Sequence, residues 1–139
     1  MPKTKPLSKT QYETLAAFRY ALRRFLHFSE KAAQEAGLTP QQHQALLAIK
    51  GFPGRDHLTI GELAERLQLQ HHSTVGLIDR LALEKLVVRA PSPQDLRQVF
   101  VRLTPRGEAV LTRLTTAHHR QLQRIGPELK ELLQRLASL

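Results

Sequence analysis

The chain has 139 residues, 21 Lys and Arg against 12 Asp and Glu, and a net charge of +9 at pH 7. Such a length suits one domain with its own hydrophobic core, and the basic balance favours a polyanionic partner, nucleic acid before an anionic membrane surface. The lack of cysteine excludes disulfides, thiolate metal sites, Cys nucleophiles and thiol-based redox sensing, and no apolar run approaches the roughly 18–20 residues of a membrane span.

Met1 to Leu7 holds two prolines and two lysines with no apolar stretch behind them, so it reads as a loose arm and not as a secretory leader. The expected compartment is the cytoplasm. Ser8, with Gln11 three residues on, forms a capping-box pattern and opens a helix that nothing interrupts before Ala36. Leu15, Phe18, Leu22, Phe25, Ser29 and Ala32 fall at spacings of three and four and make one stripe on its surface. Gly37 supplies the stop. Thr39-Pro40 starts the next helix, with Gln42 completing a second capping box and Ala45, Leu46 and Ile49 on one face. Gly51-Phe52-Pro53-Gly54 is a loop by composition.

Thr59 to Leu86 predicts two short helices. The first is capped by Thr59 and Glu62, with Ile60, Leu63, Ala64 and Leu67 inward. After a break at Gln68-Leu69-Gln70-His71, the second runs from His72 to about Glu84, with Thr74, Leu77, Ile78 and Leu81 inward. Two helices joined this tightly make a helix-turn-helix candidate. The period then changes to two. Leu86 to Ala90 is one strand, Pro91-Ser92-Pro93-Gln94-Asp95 a turn, and Val99, Val101 and Leu103 alternate along the return strand. Thr104-Pro105 begins a further helix with the stripe Leu111, Leu114, His118, Leu122 and Ile125. Gly126-Pro127 is expected to break it, leaving a short last helix marked by Leu129, Leu132, Leu133 and Leu136. The predicted fold is mainly α with a small β-hairpin: a winged helix-turn-helix over residues 39–104, flanked by helical segments 8–36 and 105–139. The second helix of the pair can lie in a major groove of DNA while the hairpin tip reaches the adjacent minor groove. The terminal leucines need a partner surface, and a second chain fits best.

Leu63-Ala64-Glu65-Arg66-Leu67, Ser73-Thr74-Val75-Gly76-Leu77-Ile78-Asp79-Arg80-Leu81, Asp95-Leu96-Arg97 and Leu103-Thr104-Pro105-Arg106-Gly107 together resemble the multiple-antibiotic-resistance regulator (MarR) family. The resemblance covers nearly the whole chain, and its most specific part is the Asp-x-Arg wing followed by Leu-Thr-x-x-Gly. It implies a homodimeric winged-helix transcription regulator, usually a repressor, with the first and last helices interlocked as the dimer. It also implies a palindromic operator and, in many members, release by a small ligand, often an aromatic acid. Two positions depart from the pattern. Lys85 stands where relatives often have glycine after the reading helix, so it is either strained in a left-handed conformation or the turn closes differently. Gly76 stands where relatives often carry an arginine or polar residue, which permits close backbone approach but removes a base-reading side chain.

The candidate DNA-binding residues are Gln70, His71, His72, Ser73, Gly76, Arg80, Arg89, Asp95 and Arg97. Arg97 matches the family's minor-groove arginine and Asp95 its positioning partner; the alternative is a solvated tip with a surface ion pair. Gln70 to Ser73 stand at the turn and first turn of the reading helix, where side chains and helix amides meet phosphates and base edges. Arg80 is either a phosphate contact or one half of a helix-surface pair with Asp79. Arg89 and Arg102 on the strands reach the DNA backbone or are ordinary strand charge. Arg23, His43 and His118 are candidate ligand-binding residues, against readings as solvated helix surface, core and interface respectively. No metal, cofactor or catalytic constellation is indicated, and an enzyme is not expected. The expected partners are double-stranded DNA, a second copy of the chain and a small-molecule effector, with no membrane. Two alternatives stand beside this reading: a ligand-independent architectural DNA-binder, and a winged helix used as a protein-interaction module. Charge alone does not locate the DNA face, because residues 1–36, 37–104 and 105–139 carry +4, +2 and +3.

Overall fold

The computed structural model describes residues 4–138. The helices are α1 (Lys9–Glu35), α2 (Pro40–Lys50), α3 (Ile60–Leu67), α4 (His71–Leu83) and α5 (Pro105–Ala137). The strands are β1 (His57–Thr59), β2 (Val87–Pro91) and β3 (Val99–Leu103). Residues 4–8 carry no regular structure; the first three residues of the expected arm, and Leu139, lie outside the described residues. The chain divides into a helical unit, made of residues up to Lys31 with those from Thr116 onward, and a winged unit, Ala32–Thr115.

The capping chemistry read from the sequence is present bond for bond. Ser8 and Gln11 exchange hydrogen bonds at the start of α1, Thr39 and Gln42 at α2, and Thr59 and Glu62 at α3. Each pair satisfies two amides that the first helical turn leaves without partners. Glu62 also pairs with Arg55. Burial pushes its carboxyl up, but the Thr59 amide and hydroxyl and the Arg55 guanidinium together hold it below the ordinary carboxylate value.

Three helices end alike. At Gly37-Leu38, Gln68-Leu69 and Lys85-Leu86, a residue with φ of 80°, 54° or 60° turns the chain left-handed. The following leucine amide then reaches back to the carbonyl of Ala33, Ala64 or Leu81 at 2.9 Å. This is the Schellman closure, with its apolar residue just past the turn. Lys85 is therefore left-handed: the turn keeps the geometry glycine would favour and carries a side chain there.

The winged unit is built on a three-stranded antiparallel sheet in the order β1-β3-β2. The sequence predicts only the β2–β3 hairpin. β1 is three residues long, too short for an alternating pattern to show, and only Leu58 at its centre is buried. Leu58 faces Val101 and Val87 faces Leu103 in register. These side chains join Leu46, Ile49, Leu63, Leu77, Ile78 and Leu81 in one core, which Val110, Leu111 and Leu114 of α5 complete. Lys50 of α2 and Glu108 of α5 are bonded at 2.9 Å.

Gly126-Pro127 does not break α5, contrary to expectation; Pro127 lies inside one helix. Proline costs one amide and crowds the carbonyl four residues back, but Gln123 and Pro127 are both exposed, so solvent can serve the freed carbonyl. The register gives the reason for continuity. Leu122, Ile125, Leu129, Leu132 and Leu136 keep spacings of three and four straight through the proline, so one uninterrupted helix keeps the whole stripe on one face. In the helical unit, Leu132 and Ala21 are buried while Tyr12, Leu15, Leu122 and Leu133 remain 40–56% exposed.

Two substitutions test the joint between α4, β2 and α5. A Cβ on Gly107 would lie 2.1 Å from the carbonyl oxygen of Leu86. Gly107→Ala is expected to lower unfolding stability by about 2 kcal/mol or more, whereas Lys85→Gly is expected to raise it by about 1 kcal/mol by relieving the left-handed strain. Urea unfolding midpoints read both; equal stability of the three proteins would contradict the joint described.

Candidate nucleic-acid interface

Helix α4 is held from its inner side. Leu77, Ile78 and Leu81 are buried in the winged core, and buried Thr74 donates its hydroxyl to the carbonyl of Gln70 at 2.9 Å. Gln70 is the N-cap yet makes no side-chain capping bond, so its amide is available to an outside partner. His71, His72 and Ser73 are exposed around the first turn. His72, Gly76, Asp79 and Leu83 then follow at spacings of four, three and four and mark the outer surface. Arg80 is exposed beside them. The first of these residues sit where amides without helical partners and the positive end of the helix dipole favour a phosphate.

Gly76 has open space around it: a Cβ built there meets no atom within 4 Å. Nothing inside the fold requires glycine at this position, and in a helix interior it costs stability relative to alanine.

Arg89, on β2, faces the same side of the sheet as Val87 and pairs with Asp79 of α4. The sequence sets Asp79 beside Arg80 as its partner, but sheet register decides otherwise. Arg89 lies opposite Val101 and so points to the helix-covered side, and the carboxylate it meets is Asp79. This ion pair ties the reading helix to the wing. Arg102 lies on the other side of the sheet, in register with Val88 and His57, where the rings of His57 and Phe100 pack at a tilt of 54° with centroids 4.6 Å apart.

The wing tip is a closed hydrogen-bonded loop. Ser92 is 1% exposed. Its hydroxyl oxygen accepts from the amides of Gln94 and Asp95, both at 3.3 Å, and its own amide donates to the carbonyl of Gln98 at 3.0 Å. The Gln98 amide returns to the Asp95 carbonyl at 3.0 Å. One oxygen of the Asp95 carboxylate accepts from both the backbone amide of Arg97 at 3.0 Å and its Nε at 3.2 Å. The Arg97 side chain is nevertheless 91% exposed. Its stem is oriented while most of its donors face outward. Ser92 was legible only as one turn residue among several; a serine two and three positions before the amides it bonds is the available signal.

The three candidate ligand residues fall in different units. His118 and Arg23 belong to the helical unit. There Nε2 of His118 lies 2.8 Å from the Ser29 hydroxyl, and the ring stands edge-on to Phe25 and Phe28 at 6.0 and 5.5 Å. Arg23 lines an open groove with Tyr20, Arg24, His27, Phe28 and Lys31. His43 lies in α2 of the winged unit and is 3% exposed.

Residues 36–98 match the family model described as MarR family. The chain is 30% identical over 107 residues to a putative transcriptional regulatory protein for the hcr operon of Thauera aromatica, covering 77% of this chain and 63% of that one. It is 29% identical over 116 residues to the transcriptional repressor NicR of Pseudomonas putida, covering 79% and 70%. The chain thus spans about half to two thirds of the first curated relatives it matches. Its fold is similar to that of a MepR mutant from S. aureus bound to an oligodeoxyribonucleotide, with a TM-score of 0.69, 21% identity and coverage of 88% of this chain and 94% of that one.

Gly76→Ala separates the helix's own preference from the needs of a partner. The variant is expected to unfold at higher urea, by about 0.5–1 kcal/mol. If this surface meets a duplex closely, the added methyl is expected to weaken DNA binding about tenfold, the size of a steric conflict of 1–2 kcal/mol. Raised stability with unchanged binding in a fluorescence-anisotropy titration would place the DNA elsewhere.

Proposed function

We propose that the chain is a DNA-binding transcription regulator of the MarR family, that it acts as a homodimer on a palindromic operator and that it represses transcription there. Two copies of α4, related by a two-fold axis, enter successive major grooves. Half-sites then lie about one helical turn apart, ~34–36 Å. Gln70, His71, His72 and Ser73 contact phosphates and base edges at the helix start. Gly76 lets the backbone close on the groove, and Arg80 contacts the phosphate chain. Arg89, braced against α4 through Asp79 and still partly exposed, contacts the DNA backbone beside it. Two wing tips place Arg97 in the flanking minor grooves, oriented by Asp95.

The observation that carries this reading is Arg97: a side chain 91% exposed and yet held by a carboxylate. A solvated arginine gains little from one exposed ion pair. An arginine that must enter a narrow groove gains from being aimed in advance, because less freedom is lost on binding. Dimerisation is supported by the apolar residues that α1 and α5 leave uncovered, Tyr12, Leu15, Leu122 and Leu133. Repression is supported by the likeness to NicR, itself named a repressor.

The reading extends to a small aromatic or anionic effector in the helical unit. Arg23 offers a charge beside Tyr20 and Phe28, and His118 a polar ring edge among aromatics. A ligand favouring a dimer geometry that does not fit the operator would release the DNA by shifting that equilibrium.

Selection of bound duplexes from a random pool at physiological salt, with the wild type and Arg97→Ala, tests the proposal. The expected result is an enriched palindrome for the wild type and affinity for it about tenfold lower in the variant. No enriched sequence, or equal binding by both proteins, would overturn it.

A further inference from the structure

We propose that Leu96 is a specificity-determining residue of the wing, an apolar contact that selects A·T over G·C pairs in the minor groove. The inference rests on the reading of Arg97 as a minor-groove contact and adds a second, chemically different reader beside it.

Geometry leads to it. The bond from the Gln98 amide to the Asp95 carbonyl closes a four-residue turn whose two central positions are Leu96 and Arg97. Ser92 and Asp95 fix the rest of the tip from inside. Leu96 therefore sits at the same apex as Arg97 and travels wherever the arginine goes. It is 82% exposed, so the fold gives it no cover. At a tip crossed by turn hydrogen bonds and flanked by charge, a polar residue would serve the isolated chain as well or better. An apolar one becomes useful when a surface covers it.

The minor groove of A·T pairs is such a surface. Its walls are sugar C–H groups, and its floor carries the adenine N3 and thymine O2 acceptors around an adenine C–H. A G·C pair adds the guanine 2-amino group to that floor. Leucine has no acceptor. Pressed over a G·C pair, it would strip water from the amino group and leave that donor unsatisfied, which is costly. Over A·T it buries apolar area without that penalty. Arg97 contributes by another route, since a narrow A·T-rich groove attracts cations through its negative potential. Charge draws the tip in, and shape and polarity at Leu96 reject the guanine amino group.

The test uses the operator duplex obtained by selection, with the flanking pairs under the wing made A·T, G·C or inosine·C. Inosine lacks the 2-amino group, so inosine·C presents a G·C-like major groove and an A·T-like minor groove. The wild type is expected to bind the G·C duplex about tenfold more weakly than A·T, and inosine·C like A·T. Leu96→Ala is expected to keep its fold, by circular dichroism and melting temperature, and to bind G·C and A·T within about threefold of each other. Arg97→Ala is expected to bind all three duplexes more weakly. If Leu96→Ala discriminates as the wild type does while Arg97→Ala binds weakly, the Leu96 inference is overturned and the wing reading survives. If neither variant differs from the wild type, both are overturned.

Discussion

The carbonyl of Leu86 is the point on which the winged unit turns. It accepts the amide of Thr104 at 3.0 Å, and it lies so close to Gly107 that a Cβ there would be 2.1 Å away. One residue earlier, the Lys85 carbonyl accepts the Thr104 hydroxyl at 2.6 Å, and the same hydroxyl oxygen accepts the Gly107 amide at 3.0 Å. The end of the reading helix, the first residue of the wing's approach and the start of α5 thus share two peptide groups. Thr104 caps α5 with the hydroxyl that binds the α4 turn. Left-handed Lys85 is the cost of bringing that turn close enough, and Gly107 is the absence of a side chain that permits it. Asp79 with Arg89 then spans the same joint from the outside.

Acidic residues explain why this unit looks unpromising by charge count. Its net charge is small because acids offset most of its bases, and four of the eight bases in residues 37–104 are held directly by one. Asp79 holds Arg89, Asp95 orients Arg97, Glu62 pairs with Arg55 while capping α3, and Glu108 bonds Lys50. Exposed pairs of this kind add little to stability. Their effect is geometric: they restrict long side chains before any partner arrives. Arg80 and Arg102, for which no ion pair occurs among the described residues, remain as unaimed positive charge suited to a phosphate chain.

Much of this was legible in the sequence, for identifiable reasons. Capping boxes at Ser8, Thr39 and Thr59 are local, so a three-residue spacing suffices to see them. The inward residues of α2 and α4 follow helical period and are buried as that period implies; in α3, Leu63 and Ala64 are buried while Ile60 and Leu67 are half-buried against the core. What escaped depends on partners distant in sequence or on elements too short to show a period. β1 is recognised by its pairing with β3, more than forty residues on. Asp79 finds Arg89 through sheet register, and Ser92 is buried by a loop that closes over it. At Pro127 the local helix-breaking rule yields to the apolar stripe that continues past it. Period shows the helices but not which exposed residues meet a partner, and the structure adds most at Lys85 and Gly76. One is a left-handed turn that keeps its lysine; the other is a glycine with no internal reason for being one.

In the proposed complex α4 lies in a major groove and the wing of the same unit lies in the minor groove beside it. Dimethyl sulfate footprinting on the selected operator reads both grooves at once, since it methylates guanine N7 in the major groove and adenine N3 in the minor. Protected guanines are expected within each half-site and protected adenines in the two flanks, symmetric about the centre. Guanine protection without flanking adenine protection, or protection on one side of the centre alone, would contradict it.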